Sequence, residues 1–149
     1  MKRGLSLLEL LIALAILGLL LGLGVPNFLR WRAQAEVDEA ARSLAQAFHY
    51  ARAEAKRTNA NRCVRVWRDG FSVGASCDDL SAPTQRFSRV QVSGSNYASF
   101  PSRPLDVVFR PPYGTTDAPL KRLTLQHTRY PDLTRSVHVI GVIGKVVVR

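Results

Sequence analysis

MKRGLSLLELLIALAILGLLLGLGVP, residues 1–26, decides the fold. Lys2, Arg3 and Gly4 precede an apolar run over residues 5–25, which carries one carboxylate, Glu9, and is closed by Pro26. As a helix rising about 1.5 Å per residue the run is about 31 Å long, close to the roughly 30 Å hydrocarbon core of a bilayer. The two cations ahead of it orient the N-terminus to the cytoplasm and place everything after Pro26 outside the inner membrane.

Three readings of this run compete. A cleaved secretory signal has an apolar core of about 7–15 residues and a small-residue cleavage site; this run is longer and holds an acid near its start. A plain single-span anchor explains the length but not Glu9. A carboxylate inside a membrane is unfavourable by a few kcal/mol and calls for a partner. The third reading supplies one. If the chain is cut after Gly4, Leu5 becomes a free α-amine about one helical turn from Glu9, and a carboxylate in an apolar medium seeks such an amine in its own chain or a neighbour's.

The hexad Gly4-Leu5-Ser6-Leu7-Leu8-Glu9 resembles the processing site of type IV pilins and type II secretion pseudopilins. The resemblance implies that a prepilin peptidase removes residues 1–4 and that the new N-terminus at Leu5 is methylated. It implies that Glu9, fifth in the mature chain, directs assembly, and that Pro26 kinks the helix. Leu5 stands where phenylalanine is usual. Removing Lys2 and Arg3 lowers the net charge from +10 to +8, so the basic character belongs to the rest of the chain.

Outward from the run, residues 27–58 hold no proline or glycine and are rich in alanine. Ala41, Leu44, Phe48, Ala51 and Ala55 form one apolar stripe at helical spacing. Asp38 and Arg42 are an i, i+4 acid-before-base pair expected on the solvent side. One helix is therefore expected from near Leu5 to about Thr58, its first half in lipid and its second packed on a domain, with Asn59 and Asn61 at its exit. Phe28, Arg30, Trp31 and Arg32 sit where interface anchors are common. Arg52, Lys56 and Arg57 gather at the helix end, where cations suit the dipole.

From Arg62 onward the pattern is β. Val64 and Val66 alternate with Arg65 and Trp67, Asp69-Gly70 signals a hairpin turn, and Phe71, Val73 and Ala75 alternate on the return. Further strands are expected at 87–92, 105–109, 120–128, 136–140 and 145–148. The fold class is α+β, a long helix whose first half is transmembrane, followed by about six strands of antiparallel sheet. The segments are 1–4, 5–25, 26–61 and a globular part, 62–149. Ala51-Arg52-Ala53-Glu54-Ala55, Val64–Trp67, Val108-Phe109-Arg110-Pro111, Gly114 and Gly144-Lys145-Val146 resemble GspH/FimT-type minor pilins and pseudopilins. That subgroup implies two small sheets packed on the helix. It also implies a low-copy subunit near a filament tip that acts with other major and minor subunits and an inner-membrane assembly platform. A minor pseudopilin of a type II secretion system shares this architecture.

Cys63 and Cys77 lie on the two arms of the hairpin. An extracytoplasmic domain permits one disulfide between them. The register implied by an Asp69-Gly70 loop leaves them one residue out of step, so a bulge or a departing strand end is needed. No GxSxG, HExxH, paired CxxC, Walker or GxGxxG pattern occurs, and the three histidines, His49, His127 and His138, are isolated; neither catalysis, a cofactor nor a metal is expected. Asp78-Asp79 reads as a turn. A net charge of +10, with arginine supplying 17 of 21 cations, is that of a chain attracted to polyanions. FimT-like pilins include DNA-binding members with a C-terminal Gly-Arg-x-Arg patch. Gly144-Lys145-Val146-Val147 keeps the glycine and one cation of that pattern, and Arg149 follows. Lys145 and Arg149, supplemented by Lys121, Arg122, Arg129 and Arg135, are the candidates for non-specific contact with double-stranded DNA.

Overall fold

One helix organises the molecule. In the computed structural model, which describes residues 7–95, 100–116 and 120–149, α1 spans Leu7–Thr58 and continues through Pro26. It ends where Asn59 adopts a left-handed conformation (φ 50°), the short polar residue that tolerates it best after glycine. The helix changes character along its length. Every described side chain from Leu7 to Arg32 is exposed, whereas Ala33 begins a buried stripe that includes all five expected residues, Ala41, Leu44, Phe48, Ala51 and Ala55, each at 0% exposure.

Among the described residues nine strands follow: β1 Arg62–Trp67, β2 Gly70–Gly74, β3 Gln85–Arg86, β4 Val90–Ser95, β5 Leu105–Arg110, β6 Thr115–Thr116, β7 Leu120–His127, β8 Thr134–Ile140 and β9 Lys145–Val148. They form two antiparallel sheets, β3-β2-β1-β5-β6 and β4-β7-β8-β9, as the subgroup resemblance implies. Both sheets turn their apolar faces to the buried half of α1. Val64, Val66, Val107 and Phe109 from the first sheet and Leu123, Leu125, Val137 and Val139 from the second close one core around Leu44 and Phe48. The rings of Phe48 and Phe109 lie 6.4 Å apart at its centre.

Three local expectations are corrected. The hairpin turn is Arg68-Asp69, not Asp69-Gly70: Trp67 pairs with Gly70, and Val64 with Val73. Gly70 is a strand residue, and an added Cβ there would stand 2.3 Å from the Gln85 carbonyl oxygen, so its smallness serves the approach of β3. The expected strand 87–92 is divided. The chain leaves the first sheet after Arg86, turns at Arg89 (φ 57°) and enters the second sheet at Val90. Phe87 is held in the crossing by the ring of Phe71, with centroids 5.8 Å apart. Finally, Asp38 pairs with Arg135 of β8 at 2.6 Å rather than with Arg42.

Cys63 and Cys77 are joined, with Cα atoms 5.3 Å apart. Cys63 stands opposite Gly74, the last residue of β2, so the bridge reaches a chain that has already left the sheet. Asp106 lies beside the bridge, but sulfurs bonded to each other offer no thiolates, so the trio is no metal site. Asp106 instead holds Arg65 through two hydrogen bonds, at 2.6 and 2.8 Å. Asp78 and Asp79 lie in a turn, as expected.

Candidate functional site

Two regions carry the chemistry that the fold leaves outward-facing. The first is the uncovered part of α1. Leu7, Leu8, Ile12, Ile16, Leu19 and Leu20 are all more than half exposed, and no part of the domain reaches them. Glu9 lies among them with its side chain exposed. An apolar helix surface of this length is stable only in lipid or against other apolar helices. Gly18 and Gly22, four residues apart on one face, have open space where a Cβ would stand, which lets another helix come close. Gly4 and Leu5 lie outside the described residues.

The second region is the outer face of the sheet β4-β7-β8-β9. Residues 120–149 contain six cations and a single acid, Asp132. Strand alternation divides the six. Arg122 of β7 stands opposite His138 of β8, and His138 opposite Val147 of β9, with Lys145 and Arg149 flanking Val147 on the same face. The four strands themselves contain no acid. Burial in part, and then the charges of Arg149 and Arg122, push the His138 imidazole below its ordinary range.

The other three candidates are not on that face. Lys121 shares the inward parity of Leu123 and Leu125; it is buried, and its Nζ donates to the Asp106 carbonyl oxygen. Arg135 turns toward α1 to reach Asp38. Arg129 lies beyond the end of β7, 6.0 Å from the Tyr130 ring. Of the histidines, His127 is buried and structural. Its Nδ1 accepts from the backbone N–H groups of Arg129 and Tyr130, which fixes the proton on Nε2, 3.3 Å from Glu36.

The family model of the prokaryotic N-terminal methylation motif matches residues 1–25. The fold matches the crystal structure of the type IV minor pilin FimU of Pseudomonas aeruginosa, with a TM-score of 0.60 over 77% of this chain and 89% of that one, at 19% identity. In motif and fold the chain is type IV pilin-like. A second crystal form of FimU matches with a TM-score of 0.57 over 75% of this chain. The pilin-like protein PilA1 of Thermus thermophilus is 49% identical over 69 residues, 46% of this chain. The chain covers 43% of the length of that relative. The methylation motif and the uncovered apolar helix fit membrane anchoring and entry into a pilus.

The pilin-like core leaves one functional feature that reading residue by residue missed, the division of the basic residues between faces. Alternation with Leu123 and Leu125 was the available signal for Lys121.

Proposed function

We propose that this chain is a minor type IV pilin with a structural, non-catalytic role. In this reading the prepilin peptidase cuts between Gly4 and Leu5 and the new N-terminus is methylated. The span 5–25 holds the subunit in the inner membrane, N-terminus cytoplasmic and domain periplasmic, until assembly. The same helix then packs among those of other pilins, and Glu9 meets the α-amine of a neighbouring subunit to set the register. The observation that supports this best is the apolar helix from Leu7 to Val25, whose described side chains are all exposed, with one carboxylate in it. Glu9→Ala is expected to leave the domain folded and the chain in the membrane while excluding it from sheared filaments. Filament entry at the wild-type level would overturn the assignment. Deleting the gene separates the two machines that use this architecture: loss of pili supports the minor pilin, and loss of protein secretion with pili intact supports a minor pseudopilin.

The outer face of the second sheet, whose four strands contain no acid, favours an added role in DNA uptake, in which the filament displays Arg122, Lys145 and Arg149 to double-stranded DNA without sequence preference. Gel shifts across a salt series test it. Replacing the three cations with glutamine is expected to weaken retention and to flatten the salt dependence by up to about three counterions. Unchanged retention and slope would remove DNA as a ligand of this face.

A further inference from the structure

Leu29, Arg32, Ala33 and Glu36 fall at i, i+3, i+4 and i+7 on α1 and form one wall of a cleft of about 460 Å³. The opposite wall is the end of the second sheet: Arg89 before β4, His127 at the end of β7, then Arg129 and Tyr130. The cleft holds three guanidinium groups against one carboxylate. Glu36 is shared by Arg32 at 3.3 Å, Arg89 at 3.6 Å and His127 at 3.3 Å, and it does not neutralise them all. Arg32 and Arg89 remain about 60% exposed, so their donors are open to a further anion.

The position of the cleft along α1 indicates what that anion is. Leu29 and Arg32 are four and seven residues past Val25, about 6–10 Å beyond the end of the apolar run. The polar headgroup layer of a bilayer is roughly 5–8 Å thick on each side of the hydrocarbon. Phe28 and Trp31, both more than half exposed with rings 6.0 Å apart, mark the same depth with the aromatic side chains that settle at such an interface. The cleft therefore combines cations for a phosphate with apolar surface, Leu29, Ala33 and the Tyr130 ring, for a glycerol backbone and the first carbons of an acyl chain.

We propose that this cleft seats the headgroup phosphate of an anionic phospholipid and fixes the domain against the membrane surface before the subunit leaves for the filament. The inference rests on the membrane-span reading of residues 5–25 and adds a specific lipid site to it. Arg32 and Arg89 contact the phosphate from the helix and sheet sides, Arg129 closes over it, and Glu36 with His127 forms the floor that holds the two arginines in place.

Native mass spectrometry of the full-length chain in detergent tests this, with phosphatidylglycerol and phosphatidylcholine as the added lipids. The wild-type chain is expected to retain phosphatidylglycerol at about tenfold lower concentration than phosphatidylcholine. The pair Arg32→Gln with Arg129→Gln is expected to abolish that preference. The charge-matched control Arg42→Gln with Arg110→Gln keeps it. Arg129→Gln alone, which breaks no ion pair among the described residues, is expected to reduce the preference severalfold and keeps the test decisive should the pair fail to fold. Equal retention of the two lipids by the wild type, or an undiminished preference in the Arg129→Gln variant, would overturn the proposal. Displacement of phosphatidylglycerol by equimolar inorganic phosphate would overturn the lipid as the source of the anion. Flotation with pure phosphatidylcholine vesicles separates the two levels: failure to float defeats the membrane span, whereas floating without a headgroup preference defeats the cleft alone.

Discussion

Asp38 of α1 accepts a hydrogen bond from Nε of Arg135 on β8 at 2.6 Å, across 97 residues of sequence. The contact ties the first packed turns of the helix to the second sheet, and it removes Arg135 from the basic face. Both side chains are about one-third exposed, so solvent screens the pair and its worth is modest. Asp38→Asn is expected to lower the stability of the chain by about 1 kcal/mol. Urea unfolding of the full chain in detergent measures this, and a double-mutant cycle with Arg135→Gln should return most of the loss as coupling. Zero coupling would show the contact to be energetically idle.

The bridge between Cys63 and Cys77 closes a loop with a sequence separation of 14. Constraining the unfolded chain over such a loop stabilises a domain by roughly 3 kcal/mol. Reduction is expected to lower the unfolding midpoint accordingly, and a thiol assay on the oxidised, denatured chain should find no free thiol. Two reactive thiols in that assay would contradict the pairing.

Much of this fold was legible in the sequence because its signals are periodic. A proline- and glycine-free stretch of alanine and charge after Pro26 gave the helix, and the stripe from Ala41 to Ala55 gave its buried face. What failed was what periodicity cannot encode. A strand repeats every two residues, so shifting the β1–β2 register by two leaves Val64, Val66, Phe71 and Val73 on the same face; alternation could not separate Arg68-Asp69 from Asp69-Gly70 as the turn. Gly70 looked like a turn residue, yet its reason is the Gln85 carbonyl oxygen, a neighbour contributed by a different strand. Asp38 had a local partner at the right spacing and a distant one with better geometry, and sequence shows only the local one. The same limit applies to the candidate site. The apolar run and Glu9 were plain, whereas the cleft on Arg32, Arg89 and Arg129 exists only once β4 and β7 meet the helix.

Gly114 and Gly144 mark the place where two turns meet. Both have left-handed backbones, with φ of 64° and 63°, and a Cβ on Gly144 would stand 3.0 Å from the Phe109 ring and 3.2 Å from the Gly114 carbonyl oxygen. Backbone strain and crowding against rigid neighbours add, so Gly144→Ala is expected to destabilise the chain by about 1–3 kcal/mol. A thermal melt that matches the wild type would mean that the turn adjusts without cost.

His138 offers a titration that reports on the basic face directly. Partial burial comes first among the causes that lower its pKa below 6.5, followed by the charges of Arg149 and Arg122. Because the folded state disfavours the imidazolium, the unfolded chain binds the proton more readily. Stability attributable to this residue is whole above about pH 6.5 and is lost as the pH falls from there through the folded-state value. Arg149→Gln and Arg122→Gln, singly, are each expected to raise the His138 pKa toward 6.5, read from the imidazole resonances in an NMR titration, and both together should raise it further. Burial remains in every variant, so the pKa should stay below the ordinary value even in the double substitution. Short double-stranded DNA should act in the same direction as the substitutions if it binds this face, since its phosphates offset the two guanidinium charges. A His138 pKa that ignores both arginines would mean that their field does not reach the centre of the sheet, and the outer face would then lose its claim to bind a polyanion as a unit.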